Sequence, residues 1–274
     1  MEKLKINGNF LAYERLGIGA PLILVHGFPL DQRSWEPLLP HLKDTFDLIL
    51  PDLHGFGQSD VPDGTYGVEQ MAADLASLLD ALGIQKTYIA GHSMGGYVAL
   101  SFARAFPQRV LGLGLIGSQA APDAPERKSG RYATAEQVAL QGFSAVMEMA
   151  EKLSANPGHA PFFRELIQSQ RPEGIIGALK AIAERPDSLP LIPTFHFPLV
   201  LVHGLADTLV SSERAREIKE LSPHATLTEL PGVGHSPQLE APAATAHALQ
   251  KFISWNQTCP PIGGQEFIGI RAYG

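Results

Sequence analysis

The chain reads Ile89-Ala90-Gly91-His92-Ser93-Met94-Gly95-Gly96 about a third of the way along its length, and this segment is the strongest indication of its fold. It sets a Gly-x-Ser-x-Gly pattern between an apolar run that predicts a strand and an amphipathic run that predicts a helix. A serine on a tight strand-to-helix turn has strained backbone geometry, so its neighbours must be small where side chains would collide. Gly91 and Gly95 meet that need, and we expect the turn to point the Ser93 hydroxyl outward.

Backbone N–H groups near Ser93 are candidates for stabilising negative charge on a substrate. The N–H of Met94 stands at the predicted helix start, where the helix dipole favours an anion. A second donor is expected from His26-Gly27-Phe28-Pro29, the loop that follows an upstream predicted strand. Phe28 is the better candidate there, because Pro29 has no N–H to donate.

A serine hydroxyl becomes a useful nucleophile only with a general base beside it and a third group that holds the base. His235 is the candidate base, because the Gly- and Pro-rich run 231–237 favours an exposed imidazole. Asp207 directly follows a predicted strand, at the sheet edge where catalytic groups gather. It can accept the Nδ1 proton of His235, and it completes the chain order Ser, Asp, His. Glu229 and Glu240 are the nearest rivals to Asp207, and both are worse placed.

Short apolar runs alternate with longer amphipathic segments along most of the chain, a pattern typical of parallel strands joined by helices. The segment Val68–Leu82 has apolar residues at helical spacing, with Gly83 where a helix would end. Further helices are predicted over Met94–Phe106, Ser212–Leu221 and Ala241–Trp255. After an amino-terminal hairpin, strands are predicted over Pro21–Val25, Phe46–Leu50, Lys86–Ala90, Val110–Ile116, Pro198–Val202 and Ala225–Leu230.

The alternation stops between residues 118 and 193, where the sequence is helix-like and poor in strands. We interpret 118–193 as an inserted helical cap, 1–117 with 194–256 as the core, and 257–274 as a carboxyl-terminal tail. Apolar side chains of the cap, among them Phe143, Met147 and Phe162, are candidates to line a substrate pocket together with Phe28 and Pro29. Helix packing is the competing explanation for each of the cap residues.

Composition excludes several functions. The 274 residues are 45% hydrophobic, enough for a large core, and a formal charge of −7 argues against nucleic acid and acidic membranes as partners. Cys259 is the only cysteine, so no internal disulfide forms, and no Cys/His cluster has zinc-site spacing. No apolar run approaches the roughly 20 residues of a membrane span, and residues 1–10 lack the apolar stretch of a secretory signal. We therefore expect a cytoplasmic protein without a metal, and the oligomeric state stays open.

Several spaced motifs together resemble the α/β-hydrolase superfamily over nearly the whole chain. They are His26-Gly27-Phe28-Pro29 followed by Trp35, the loop from Asp52 to Asp60, the turn at Ser93, Gly204-Leu205-Ala206-Asp207 and Gly234-His235. Within the superfamily the chain looks most like small carboxylesterases, enol-lactonases and cofactor-free perhydrolases. The resemblance implies a mostly parallel eight-stranded sheet with flanking helices, a helical cap over the site, and no metal or organic cofactor. We interpret the loop around Asp52 as structural.

Other branches of the superfamily differ from this chain at identifiable residues. Haloalkane dehalogenases and epoxide hydrolases use an aspartate nucleophile where this chain has Ser93. Carbon–carbon bond hydrolases and proline iminopeptidases carry glycine-rich loops where this chain has His26-Gly27-Phe28-Pro29. Pro29 resembles the proline that follows the oxyanion residue of perhydrolases.

The sequence therefore predicts a serine hydrolase that cleaves a small to medium, largely apolar carboxylic ester or lactone through an acyl-enzyme. Two alternatives stay open. The same three residues could serve an acyltransferase or perhydrolase, and a hydrolase fold could serve as a slow small-molecule receptor. Fold by itself does not choose between them.

Overall fold

One sheet of eight strands organises residues 1–258, the part of the chain that the computed structural model describes; side chains are described for 1–255. The strands are β1 (Glu2–Ile6), β2 (Asn9–Gly17), β3 (Ala20–Val25), β4 (Phe46–Pro51), β5 (Thr87–His92), β6 (Val110–Ile116), β7 (Leu199–Gly204) and β8 (Thr226–Leu230). Their order across the sheet is β1-β2-β4-β3-β5-β6-β7-β8. The β1–β2 and β2–β4 pairs are antiparallel and the remaining pairs are parallel. The predicted mostly parallel sheet and its amino-terminal hairpin are confirmed.

In the described part of the chain, helices flank the sheet and also fill the segment between β6 and β7. They are α1 (Leu39–Leu42), α2 (Val68–Ala81), α3 (Met94–Ala105), α4 (Pro125–Gln141), α5 (Ala160–Gln168), α6 (Pro172–Ala183), α7 (Glu213–Leu221), α8 (Pro237–Glu240) and α9 (Pro242–Thr258). Short 3₁₀ helices cover Gln32–Leu38, Pro107–Arg109, Gly142–Glu151, Pro157–His159 and Leu189–Thr194. None of these described helices combines the length and hydropathy that crossing a membrane requires.

The core lies in two layers because successive residues of a strand point to opposite faces of the sheet. In β3, Ile23 and Val25 pack in one buried cluster with residues of α2 and α3. Leu22 and Leu24 pack in a second cluster with residues of α1 and α9. A strand covered on both faces reads as a continuous apolar run, and this is the pattern that the sequence shows.

Residues 117–198, between β6 and β7, contain α4, α5, α6 and three of the 3₁₀ helices, and this described stretch has no strand. We call residues 117–198 the helical insertion. The division of the chain into core, cap and tail stays a prediction. Helix α9 continues to Thr258, past the predicted end at Trp255. Cys259 and the rest of the predicted tail lie outside the described residues.

The sheet register brings four loops to one edge. Val25 of β3 pairs with Gly91 of β5, so the loop carrying Phe28 and the turn carrying Ser93 leave the sheet side by side. Gly204 of β7 likewise pairs with Leu230 of β8, which sets the segments that follow these two strands beside each other. Carboxyl ends of neighbouring parallel strands are where ligands bind in open α/β sheets.

Candidate active site

Ser93 forms the turn from β5 into α3, and its backbone angles of φ 50° and ψ −113° are ones that residues with side chains rarely adopt. The flanking glycines make this turn possible. A Cβ on Gly91 would lie 2.1 Å from the backbone of Gly95, and a Cβ on Gly95 would lie 2.1 Å from the carbonyl oxygen of Val25. Ser118 Oγ donates a hydrogen bond of 2.8 Å to the Ser93 carbonyl. The small residues of the motif are therefore a steric requirement.

The two predicted oxyanion donors, Phe28 and Met94, line the same cavity as Ser93. Met94 is the first residue of α3, so its N–H has no partner within the helix. Within the described chain, neither this N–H nor that of Phe28 donates to another backbone carbonyl in the loops around the site. Both groups are thus free to donate to an oxygen atom placed beside Ser93.

His235 lies in the loop between β8 and α8, and its Nδ1 is 2.7 Å from Asp207 Oδ2. With Nδ1 protonated and donating to the carboxylate, the unprotonated Nε2 is left for the cavity, which His235 also lines. The expectation of an exposed imidazole is wrong, because His235 is only 2% exposed. The helical insertion covers its loop so closely that a Cβ on Gly234 would lie 2.4 Å from the backbone nitrogen of Ala155.

The side chain of Asp207 is buried just beyond β7, and backbone and side-chain donors surround its carboxylate. Oδ1 accepts from the N–H groups of Leu209 at 2.8 Å and Val210 at 3.0 Å. Oδ2 faces His235 and lies 3.4 Å from His203 Nε2. Burial by itself disfavours the charge, but the hydrogen bonds from His203 and His235 outweigh it and hold the pKa of Asp207 well below its usual range. The carboxylate is ionised at neutral pH.

Glu240, the rival carboxylate, does not contact the imidazole of His235; it holds the loop around it. Its Oε2 accepts hydrogen bonds from the N–H groups of Gly234 at 3.0 Å and Ala155 at 2.9 Å. Its Oε1 accepts from Ser236 at 3.2 Å. The other rival, Glu229, forms an ion pair with an arginine of α7. Sequence reasoning missed the positioning role of Glu240, because its partners are backbone groups that carry no side-chain signature.

The loop after β4 is held by Asp52, which agrees with its interpretation as structural. The buried carboxylate accepts from the backbone N–H groups of Gln32 at 3.0 Å and Gln58 at 2.8 Å. His26 accepts from the N–H of Leu53 through Nε2, at 3.0 Å, so its Nδ1 carries the proton and donates to Gly27. Asp52 and His26 thus shape the loops beside the cavity.

The cavity itself has a volume of about 180 Å³ and lies between the sheet edge and the helical insertion. It is lined by Phe28, Ser93, Met94, Tyr97, Arg127, Arg131, Met149, Lys152, Ile182, Leu209, Val210 and His235. Within the described residues, no group of three or more His, Cys, Asp or Glu side chains is arranged to hold a metal ion. The cavity therefore places the Ser93 side chain, the His235 imidazole and a set of apolar and cationic side chains around one small space.

Of the residues predicted to bind substrate, Phe28 lines this cavity and four others do not. Phe143, Met147 and Phe162 are partly buried and pack against the main hydrophobic cluster, which is the competing explanation that their sequence pattern left open. Pro29 is buried in the loop after β3 and is not part of the lining. The apolar wall is formed instead by residues such as Met149 and Ile182 of the insertion.

Sequence reasoning also missed the cations of the cavity. Arg127 and Arg131 stand four residues apart on α4, a spacing that puts both on one helix face and could have identified a cationic stripe. No sequence pattern could have identified Lys152 as a cavity residue, because it follows an apolar and acidic run without a regular spacing. Leu209 and Val210 could have been inferred from their closeness in sequence to Asp207.

Comparisons with known proteins agree with this architecture. A family model described as the alpha/beta hydrolase fold matches residues 20–242. The chain is 30% identical over 270 residues to the dihydrolipoyllysine-residue acetyltransferase component of the acetoin cleaving system of Pseudomonas putida, which covers 92% of this chain and 69% of that protein. It is 28% identical over 244 residues to lipase 3 of Moraxella sp. (strain TA144), which covers 85% of this chain and 77% of the lipase.

Solved structures give the same result. A thermophilic esterase from Thermogutta terrifontis, solved with malate bound, superposes with a TM-score of 0.89 at 36% identity, over 93% of this chain and 99% of the esterase. The enol-lactonase from Burkholderia xenovorans LB400 superposes with a TM-score of 0.85 over 92% of this chain and 100% of the lactonase. At 24% identity the lactonase supports the fold alone.

Proposed function

Since this chain belongs to the α/β-hydrolase fold family, we propose that it hydrolyses a small carboxylic ester or lactone through an acyl-enzyme on Ser93, with His235 as general base and Asp207 as its partner. The lipase and esterase among its relatives support ester hydrolysis as the reaction class. The observation that carries the assignment is the pairing of His235 with the buried Asp207 at 2.7 Å, beside a cavity that Ser93 also lines.

The acylation step follows from the chemistry of these groups. Ser93 Oγ attacks the ester carbonyl while Nε2 of His235 takes the hydroxyl proton, and the new imidazolium is stabilised by the ionised Asp207. The carbonyl oxygen becomes an oxyanion beside the N–H groups of Phe28 and Met94. When the tetrahedral intermediate collapses, the C–O bond to the alcohol breaks and His235 returns its proton to the leaving oxygen.

Deacylation repeats the sequence with water as the nucleophile. His235 removes a proton from water as the water oxygen attacks the acyl carbonyl, and the proton then passes to Ser93 Oγ as the acid leaves. Every proton that His235 accepts is thus returned within the same half-reaction. Asp207 stays ionised throughout, in keeping with the lowered pKa of its carboxyl.

One relative favours a second candidate. The acetyltransferase component from Pseudomonas putida is named for acyl transfer, and an acyl-enzyme on Ser93 can pass its acyl group to an alcohol, amine or peroxide instead of water. The substrate cavity and the three catalytic residues would be the same in both reactions. Product analysis of an ester with competing alcohols, amines or hydrogen peroxide distinguishes the two, because a transferase forms the exchanged product in preference to the free acid.

A fluorophosphonate probe tests whether Ser93 is a nucleophile, which both candidate functions require. We expect a covalent adduct on Ser93 in the wild-type protein and none in Ser93→Ala, which should also lose hydrolysis of p-nitrophenyl esters by about 10⁶-fold. Thermal unfolding of both proteins checks that the variant is folded. Absence of an adduct from the folded wild-type protein would favour a small-molecule receptor over an enzyme, and wild-type rates in Ser93→Ala would refute the role of Ser93.

A further inference from the structure

The cavity beside Ser93 has a cationic side that the proposed reaction does not use. Arg127 and Arg131 reach it from α4, and Lys152 reaches it from the end of the 3₁₀ helix Gly142–Glu151. All three belong to the helical insertion, whereas Ser93 and its partners belong to segments at the sheet edge. The twelve residues that line the cavity include no carboxylate.

The positive charges around this cavity exceed the negative charges that pair with them. The carboxylate that pairs with these cations is that of Asp123. It pairs with Arg131, lies 2.9 Å from Arg185 and is 3.7 Å from Arg127. Burial disfavours its charge, but the hydrogen bonds from Arg185 and Arg131 hold the pKa of Asp123 below its usual range. One ionised carboxylate is therefore shared by three guanidinium groups, of which those of Arg127 and Arg131 line the cavity and that of Arg185 does not.

Lys152 adds a further charge and is the most available of the cations. It is exposed at the cavity and has no carboxylate within 4.0 Å in the described part of the chain. Arg127 is fixed in place, since its Nη2 donates to the carbonyl of Leu209 at 2.7 Å, two residues beyond Asp207. The guanidinium of Arg127 is thus joined directly to the segment that carries the catalytic carboxylate.

The remaining lining residues divide the cavity by chemistry. Phe28, Met94, Met149, Ile182, Leu209 and Val210 give it apolar walls. A substrate bound there would meet Ser93 at one point, apolar surface along its length and positive charge on the insertion. This local charge is opposite in sign to the formal net charge of −7 of the whole chain, so it is not a consequence of overall composition.

We propose that the ester carries a carboxylate group, separated from the reacting carbonyl by a short apolar linker and held by Arg127, Arg131 and Lys152. This inference rests on the proposed ester hydrolysis at Ser93 and replaces the expectation of a largely apolar substrate. Arginine and lysine bind carboxylates through charge-assisted hydrogen bonds. A neutral ester cannot form these hydrogen bonds with its substituent, so the three cations would stay hydrated when it binds.

Two matched ester pairs test the proposal, one for each half of the substrate. On the acyl side, mono-4-nitrophenyl adipate is compared with its neutral methyl ester, which has the same chain and leaving group. On the alcohol side, 4-acetoxybenzoate is compared with 4-acetoxybenzamide. We expect kcat/KM to favour the charged member of at least one pair by about tenfold or more, and the preference to shrink as salt is added.

Substitution of the cationic side chains tests whether they cause the preference for charged esters. Lys152→Gln and Arg127→Gln should each lower the ratio of charged to neutral kcat/KM by about fivefold. Lys128→Gln is the matched control: it removes the same charge from the same helix as Arg127, but Lys128 pairs with Glu184 at 2.7 Å and does not line the cavity. This control should keep the wild-type ratio.

The outcomes distinguish failure of the carboxylate proposal from failure of the proposed ester hydrolysis. Hydrolysis of the neutral esters through Ser93 with no preference for either charged ester would overturn the carboxylate assignment and leave the esterase intact. A preference that survives in both Lys152→Gln and Arg127→Gln would overturn the role of these cations. Failure of the proposed hydrolysis is recognised differently, by the absence of both turnover and a fluorophosphonate adduct on Ser93.

Discussion

His92 Nε2 lies 2.8 Å from the backbone carbonyl oxygen of His235. His92, the residue just before Ser93, thereby holds the loop that carries His235. Both histidines are buried, with ring centres 5.0 Å apart. Burial, reinforced by the neighbouring His235, lowers the pKa of His92 to about 3, so the ring stays neutral and acts as a hydrogen-bond donor.

The buried His92 should make the fold sensitive to mild acid. In the unfolded chain His92 takes up a proton near its ordinary pKa of 6.5, whereas in the folded chain it does so only near pH 3. Because the unfolded state binds more protons in this interval, the free energy of unfolding falls as the pH drops below 6.5, by at most about 1.4 kcal/mol per pH unit for one group.

His92→Gln keeps an N–H donor for the His235 carbonyl and removes the titration. We expect urea denaturation of this variant between pH 7 and about pH 4 to show a shallower loss of stability than the wild-type protein. A residual slope should remain from His26, whose pKa burial also lowers. Identical slopes in the two proteins would contradict the assignment.

Asp207→Asn should remove most of the activity without unfolding the protein. An amide at this position cannot hold His235 in the productive tautomer or stabilise its imidazolium, and the comparable change in serine proteases lowers kcat by about 10⁴-fold. Steady-state kinetics on a p-nitrophenyl ester measures the loss. Glu229→Gln removes a carboxylate from the neighbouring strand β8 but only breaks an exposed ion pair, so wild-type kcat is expected there.

We expect Glu240 to be a positioning residue, because its carboxylate accepts from the N–H groups on both sides of His235. Glu240→Ala should lower kcat by about tenfold to a hundredfold, since a small displacement of the base is costly, while KM changes little. Glu240→Gln, which keeps one acceptor oxygen, should recover part of the rate. Equal losses in both variants, or a change confined to KM, would contradict a positioning role.

Gly95→Ala should destabilise the fold by about 3 kcal/mol or more, because the new Cβ would meet the Val25 carbonyl oxygen, a backbone atom that cannot move aside. Gly130→Ala is the control. Gly130 lies inside α4 with nothing within 4 Å of an added Cβ, and alanine there should stabilise the protein by up to about 1 kcal/mol. Thermal or urea unfolding measures both shifts, and a tolerated Gly95→Ala would show that the turn can relax.

Prediction from sequence succeeded where the determining interactions are local. The strands around Ile23 and Ile89 read as apolar runs because both faces of the sheet are covered, and the structure has them at the predicted positions. Helix α2 ends where Gly83 allows a left-handed backbone, at φ 70°. The turn at Ser93 was predictable for the same reason, since the steric conflict that selects its glycines arises within a few residues or from the adjoining strand.

Sequence patterns could not decide the position of a side chain that would fit two surroundings equally well. Phe143, Met147 and Phe162 are apolar on a helical segment, and the same pattern serves a cavity wall or a packed core. In the structure these three side chains pack against the main hydrophobic cluster and are not part of the cavity lining. The prediction that His235 is exposed was wrong for a related reason. Its loop is covered by Ala155, which lies far from it in sequence.

Sequence patterns were enough to predict the sheet, the turn at Ser93 and the chain order of Ser93, Asp207 and His235, because periodicity, backbone strain and turn chemistry act over short stretches of chain. The tertiary structure was needed to establish that Asp207 pairs with His235, that Glu240 and His92 hold the loop of His235, and that cations of the insertion line the cavity. These contacts join residues that are separate in sequence, and their geometry depends on how the insertion packs over the sheet edge.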